Sequence, residues 1–295
     1  MVKAQKTKTK HKKLEPFDIL MIVIASFAAL IIIFPLYYVV SLSFSIYTQY
    51  IKSSGFVLIP NPISLDGYKQ FLTNQAVPRA FLVTIFITVV GTLLNFLFTV
   101  TLAYPLSRRE LPFRKFLAIY TFLPMIFSGG LIPTFYVVKR LGLMNTVWAM
   151  IIPILINTYN LTITRSFFQS IDDAYIEVGR IEGMNEVQIL FHVIVPLAKP
   201  VIATIILMYG VMHWNTYYHA LYYVRSSNLQ PLQVVLKGIL MKAQSTLEET
   251  SLEVTASTQA MKQAAVVITA LPVVLVYPFL QKYFTKGMLI GGIKG

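Results

Sequence analysis

Residues 170–200 read SIDDAYIEVGRIEGMNEVQILFHVIVPLAKP, a polar stretch set in a chain that is otherwise mostly apolar. It holds Asp172, Asp173, Glu177, Glu182 and Glu186, five of the 12 acidic residues. Ser170 followed by Asp173 resembles a capping box, in which side chains satisfy the free N–H groups that open a helix. Ala174, Val178 and Ile181 recur at helical spacing and make a narrow apolar stripe. Gly183 stands where that helix would stop, because glycine enters the left-handed cap conformation without a Cβ clash. Asn185 has the side chain to cap a second helix, and Pro196, which lacks an N–H, interrupts it. The pattern is helix, glycine, helix: a bent polar element lying on a membrane surface and meeting something outside the membrane.

The membrane follows from composition. Of 295 residues, 56% are hydrophobic and 13% charged, against about 25% charged in an average soluble domain. Mean hydropathy is +0.67. Several uncharged runs reach the ~20 residues that cross a bilayer as helix. The formal charge of +13 would suggest nucleic acid in a soluble protein. Here it fits lysine and arginine gathered at the cytoplasmic ends of spans, and no nucleic-acid partner is expected. With no cysteine, disulfides, thiol catalysis and thiolate metal sites are excluded.

Six spans are expected, at residues 17–44, 80–106, 116–138, 146–164, 201–224 and 263–280. They make one membrane domain over 17–284, flanked by a basic tail at 1–16 and a second tail at 285–295. No charge occurs between Ile19 and Ile51, a run too long for a signal-peptide core, so the first span is retained. A short surface helix is expected near 65–72. Pro124, Gly129, Gly130 and Pro133 predict a broken third span, tolerated where neighbouring helices or water satisfy the freed backbone. Pro153 lies in the fourth span and Pro272 interrupts the sixth. The tails and even-numbered loops carry 16 of the 25 lysines and arginines. Positive-inside therefore puts both termini and the 170–200 segment in the cytoplasm, with Lys139 and Arg140 against the trend.

All 25 basic residues and every acidic residue but Asp18, at the very start of the first span, fall outside these spans. Ion-coupled carriers commonly bury a carboxylate or lysine at membrane depth; this chain offers His213 instead. It has no HExxH, no GxSxG and no GxxxxGK[ST] motif. Energy for transport would come from a partner. A stand-alone secondary carrier or channel for a small polar solute is the competing class, and an intramembrane enzyme a further one. The lack of buried ionisable groups counts against both.

Glu177-Val178-Gly179, three residues, Gly183, nine residues, then Val193-Ile194-Val195-Pro196 resembles the EAA motif, EAA-x3-G-x9-I-x-L-P, of the permease subunits of binding-protein-dependent ABC importers. Val178 and Gly179 replace its two alanines. Phe127 to Thr134, Leu141 to Thr146, His213-Trp214-Asn215, Pro231-Leu232-Gln233 and Gly291 to Gly295 are similar to sugar-uptake permeases of the LplC/YtcP-like subgroup, so the resemblance spans most of the chain. It implies an all-α, six-span type I importer fold with a cytoplasmic coupling helix, and an oligosaccharide or complex glycan as cargo. It also implies a second homologous permease, two ATP-binding-cassette ATPases that hold ATP and Mg, and an extracellular lipid-anchored or periplasmic substrate-binding protein. No cofactor is expected on this chain.

In that frame residues 172–190 are the coupling element. Glu177 would pair with a basic ATPase residue, and docking would rest on Tyr175, Val178, Ile181 and Met184. Asp173, Gly179, Gly183 and Pro196 complete the set. Without the motif, the same pattern would describe an ordinary interfacial amphipathic helix. Thr84, Thr88, Thr92, Asn95 and Thr99 share one helix face and serve either a sugar pathway or helix packing. Asn157 and Asn160 are open to the same two readings. Tyr209, His213, Trp214, Asn215, Tyr217 and Tyr218 combine flat faces with hydrogen-bond donors, as sugar stacking requires, or belong to an aromatic belt. His213 alone fits a hydrogen-bonded structural histidine. The loop 225–262 either contacts the binding protein or only connects spans.

Overall fold

A computed structural model describes residues 16–54, 56–249, 259–276 and 278. The basic N-terminal tail and the glycine-rich C-terminal tail, including the Gly291–Gly295 run, lie outside the described residues. Among the described residues all regular structure is helical. A chain this apolar has to close its backbone hydrogen bonds within each segment, because lipid offers no partner.

Among the described residues, three continuous helices are long and apolar enough to cross a membrane: Pro16–Ser43, Ala76–Ser107 and Gln259–Val276. Three bent pairs bring the number to six if each counts as one span. Arg114–Ile126 with Leu131–Arg140 bends by 115°, Val147–Ile154 with Thr158–Gln169 by 48°, and Glu186–Leu197 with Lys199–Trp214 by 91°.

The second span, Ala76–Ser107, is the axis of the fold and packs most closely against the fourth and fifth. Its buried residues include Ile87, Gly91, Asn95, Thr99 and Ala103, a stripe at helical spacing that faces those neighbours. The first span is different. It presents its apolar side chains outward, and no residue of its apolar centre is buried. Its C-terminal end is tied to the following loop: Ser41 Oγ donates to the carbonyls of Val57 and Leu58 at 2.9 and 2.6 Å, and Ser43 Oγ meets Tyr68 Oη at 2.7 Å. The expected surface helix occurs at Asp66–Leu72.

Several sequence expectations are corrected. The third span is broken as expected, at residues 127–130, where Gly130 has φ +79°, open to glycine at no steric cost; Pro124 is not the break, since it lies inside Arg114–Ile126. Pro272 lies within the sixth helix without ending it. The fifth span ends at Trp214, and Tyr218–Tyr223 is a separate short helix. The loop after it contains a helix of its own, Leu232–Glu249.

One core cluster decides where the functional site sits. Val100, Ala103, Tyr104 and Leu106 of the second span pack with Leu161 and Phe168 of the fourth and Ile205 and Tyr209 of the fifth. The same cluster takes in Ile176, Ile189, Leu190 and Ile194 from the polar segment. That segment is thus seated in the core rather than laid on the surface.

Candidate functional site

The short helix Ala174–Ile181 has two unlike faces. Ile176 is 3% exposed, and Gly179 is buried with it. The opposite face carries Tyr175 at 53%, Val178 at 54% and Ile181 at 85% exposure. Glu177 is also exposed.

The helix begins differently from the sequence expectation. Ser170 closes the preceding helix Thr158–Gln169 as its C-cap, its Oγ donating to the Phe167 carbonyl. No Ser170–Asp173 capping box forms. Asp172 Oδ1 accepts from the Ala174 N–H at 3.0 Å, and Asp173 turns to Arg108.

The end of the helix is as the sequence requires. Gly183 has φ +80°. Its N–H donates to the Arg180 carbonyl at 3.1 Å, and the Met184 N–H donates to the Gly179 carbonyl at 2.9 Å. These are the two bonds of a Schellman cap, which satisfy carbonyls the helix leaves unpaired. Asn185 then opens the next helix through a reciprocal capping box with Gln188, at 2.9 and 2.8 Å. The helix continues past Pro196 to Leu197, through a π-helical turn at Ile189–Ile194. Pro196 therefore does not end it; the 91° bend falls at Ala198.

Gly179 is the inner contact. A Cβ there would stand 3.1 Å from Ile189 Cγ1 and 3.7 Å from Met184 Sδ. Close approach of the two short helices explains why glycine occupies a position where the EAA motif has alanine. Met184, expected on the docking face, is half-buried and packs against the core cluster.

Charged residues that sequence reading passed over hold the helix in place. Arg108 Nη1 donates to Asp173 Oδ1 at 2.8 Å, Nη2 to the Phe168 carbonyl at 2.8 Å, and Nε to Ser107 Oγ at 2.9 Å. Its guanidinium carbon lies 5.4 Å from the centre of the Tyr104 ring. Tyr104 Oη donates to Glu186 Oε2 at 2.6 Å. Arg180 joins Glu186 at 3.0 Å and Glu110 at 3.3 Å. Its hydrogen bonds, first to Glu110 and then to Glu186, raise its pKa further above the ordinary guanidinium value.

The residues expected along a substrate route are scattered among different environments. Asn95 is fully buried; its Nδ2 donates to the Ile154 and Leu155 carbonyls at 2.7 and 2.9 Å, and its Oδ1 meets His213 Nε2 at 2.7 Å. Gly91 makes room for that imidazole, since a Cβ there would stand 2.5 Å from His213 Nε2. Tyr209 Oη meets Thr99 Oγ1 at 2.8 Å and accepts from the Asn157 N–H at 3.2 Å. The Asn157 side chain caps Thr158–Gln169. Asn95, Tyr209 and His213 are therefore engaged between helices, as interhelical polar contacts in a membrane are.

Thr88 and Thr92 differ. They line a groove of about 360 Å³ between the second, fifth and sixth spans, with Leu93, Gly210, Trp214 and Val273 among its walls. Their hydroxyls have no partner among the described residues, and neither has the buried Asn160 Oδ1. Asn215 is exposed beyond the end of the fifth span, with Nδ2 donating to the Val211 carbonyl.

The fold and site define a polytopic α-helical membrane protein with a helix locked into one end of its bundle and one apolar face of that helix exposed. Residues 14–290 match the family described as binding-protein-dependent transport system inner membrane component. The chain is 40% identical over 282 residues to the polygalacturonan/rhamnogalacturonan transport system permease protein YtcP of Bacillus subtilis (strain 168), covering 95% of this chain and 98% of that one. It is 42% identical over 281 residues to protein LplC of the same organism, covering 95% of each. Its fold matches, with a TM-score of 0.83 at 30% identity, a chain from the crystal structure of a bacterial ABC transporter involved in the import of the acidic polysaccharide alginate, covering 94% of this chain and 100% of that one. The chain belongs to the binding-protein-dependent transport system inner membrane component family: it is a multi-pass permease subunit of an ABC importer, a translocation subunit rather than an enzyme.

Proposed function

We propose that this permease moves an oligosaccharide across the cytoplasmic membrane by alternating access, driven by separate ATPase subunits that dock on Ala174–Ile181. The observation that carries the reading is the two-faced helix: Ile176 and Gly179 are buried in the permease, whereas Tyr175, Val178 and Ile181 are exposed. An apolar face on a helix that is itself rigidly seated suits a groove on a partner. Glu177 adds an exposed carboxylate beside it.

In this reading the docking helix and both termini are cytoplasmic, and residues 17–284 act as one translocation domain. Two ATPases bind ATP and Mg beneath a pair of homologous permeases, and a lipid-anchored or periplasmic binding protein delivers cargo from outside. The unburied first span supports a second permease as its packing partner. Glycan cargo is supported by the polygalacturonan/rhamnogalacturonan and alginate transporters to which the chain is similar. Thr88, on the wall of the groove, and Asn160, whose buried carbonyl oxygen has no partner among the described residues, are the route residues not committed to bonds between helices. Asn157 and Asn215 contribute polarity at helix ends, while Asn95, Tyr209 and His213 brace the walls.

The test is purification from native membranes in mild detergent, followed by a screen of oligosaccharides for stimulated ATP hydrolysis. The expected result is recovery of an ATPase and a second permease with this chain. Recovery of the chain alone, active in transport, would overturn the proposal.

A further inference from the structure

We propose that Arg108 is the positioning residue that makes the docking helix and the second span move as one body; the inference rests on the docking reading above. The guanidinium joins three elements at once. Nε holds Ser107 and the guanidinium carbon lies over the Tyr104 ring, both residues in the second span. Nη2 holds the Phe168 carbonyl in the last turn of the fourth span. Nη1 holds Asp173, immediately before the docking helix.

The burial of this hub matters. The Arg108 side chain is 11% exposed, against 65% for Asp173 and 41% for Arg180. Fully exposed ion pairs contribute little because water screens them and their side chains pay entropy to meet. A largely buried guanidinium held by three acceptors is pinned in direction as well as position, a geometry a lysine ammonium does not reproduce. Tyr104 extends the same link, reaching Glu186 with its hydroxyl while its ring lies beside Arg108. The docking helix is thus tied to the second span on both sides of the Gly183 turn. A displacement of that helix is carried directly into the span that forms the axis of the core, rather than being absorbed at the turn.

The chain has no cysteine, so paired spin labels can be introduced cleanly. Labels at Glu182→Cys and Thr101→Cys, both exposed positions, report the distance between the docking segment and the second span. It would be measured by pulsed electron resonance on the whole ATPase-bound complex in nanodiscs, with and without ATP and vanadate. The expected result is one narrow distribution that nucleotide trapping does not shift. In Arg108→Lys it broadens and shifts on trapping, while the ATPase remains bound. Asp173→Asn, which removes only the acceptor charge, gives a smaller broadening and serves where Arg108→Lys does not assemble. A shift in the parent complex, or an unchanged narrow distribution in the variants, overturns the inference. A photocrosslinker at Ile181 that never reaches an ATPase overturns the docking reading separately, and the nucleotide-free widths then decide the rigid link alone.

Discussion

Ile181 and Ile176 lie five residues apart on one helix, and their alanine variants should fail in different ways. Ile181 is 85% exposed, so Ile181→Ala removes little packing from the permease itself. If that face is buried against an ATPase, the three lost carbons are worth about 0.8 kcal/mol each, or about 2 kcal/mol in total. That corresponds to roughly 30-fold weaker association. Ile176 is 3% exposed, and Ile176→Ala should instead destabilise the permease by about 2–5 kcal/mol, the range for aliphatic truncation in a packed core. The assay is titration of the ATPase onto nanodisc-embedded permease, paired with thermal unfolding followed by tryptophan fluorescence. Ile181→Ala should lose affinity at unchanged Tm, and Ile176→Ala should lose Tm. Unchanged ATPase affinity in Ile181→Ala, Val178→Ala and Tyr175→Ala together would refute docking through this face.

Gly91→Ala should destabilise the contact of the second and fifth spans by about 1–3 kcal/mol, the usual result of overpacking, because its Cβ would stand 2.5 Å from His213 Nε2. In a double-mutant cycle with His213→Ala the combined loss in Tm should be smaller than the sum; additivity would contradict the contact. Gly183→Val should cost about 1–2 kcal/mol through its left-handed backbone alone, since a Cβ there meets nothing within 4 Å. ATPase recovery on the permease should fall, with Gly183→Asn milder than Gly183→Val, and equal behaviour of the two would argue against the cap. Glu177→Ala should weaken ATPase binding by about fivefold or less, because an exposed ion pair contributes about 0–1 kcal/mol; a loss of a hundredfold in the titration would make the carboxylate, not the apolar face, the main anchor.

Much of the architecture is legible in local grammar. Gly183 and Asn185 act within three residues of themselves, so their cap roles can be read without any tertiary information. Long uncharged runs announce spans for the same reason. Proline was the less reliable sign: Pro124, Pro196 and Pro272 all continue their helices. A span bends where several backbone groups are released together, as at Gly129–Gly130. The threonine stripe lies on one face of Ala76–Ser107, but periodicity says nothing of what that face meets. Thr84, Asn95 and Thr99 bond to other helices or to the loop after the fifth span, while Thr88 and Thr92 open on a groove.

The hub at Arg108 was invisible for a physical reason. An arginine in a short basic loop looks like a charge anchored at the cytoplasmic surface. Its acceptors Phe168 and Asp173 lie 60 and 65 residues away in the chain. Only folding brings them to one guanidinium. Met184 likewise reads as part of an exposed apolar stripe until the Schellman turn reverses the chain and directs it inward.

Site-specific photocrosslinking in native membranes tests the central claim most directly. A photoreactive residue at Ile181 or Val178 should form an adduct with an ATP-binding-cassette ATPase, whereas one at Ile176 should crosslink only within the permease. An ATPase adduct absent from Tyr175, Val178 and Ile181 alike, in a complex that still imports its cargo, would contradict the account.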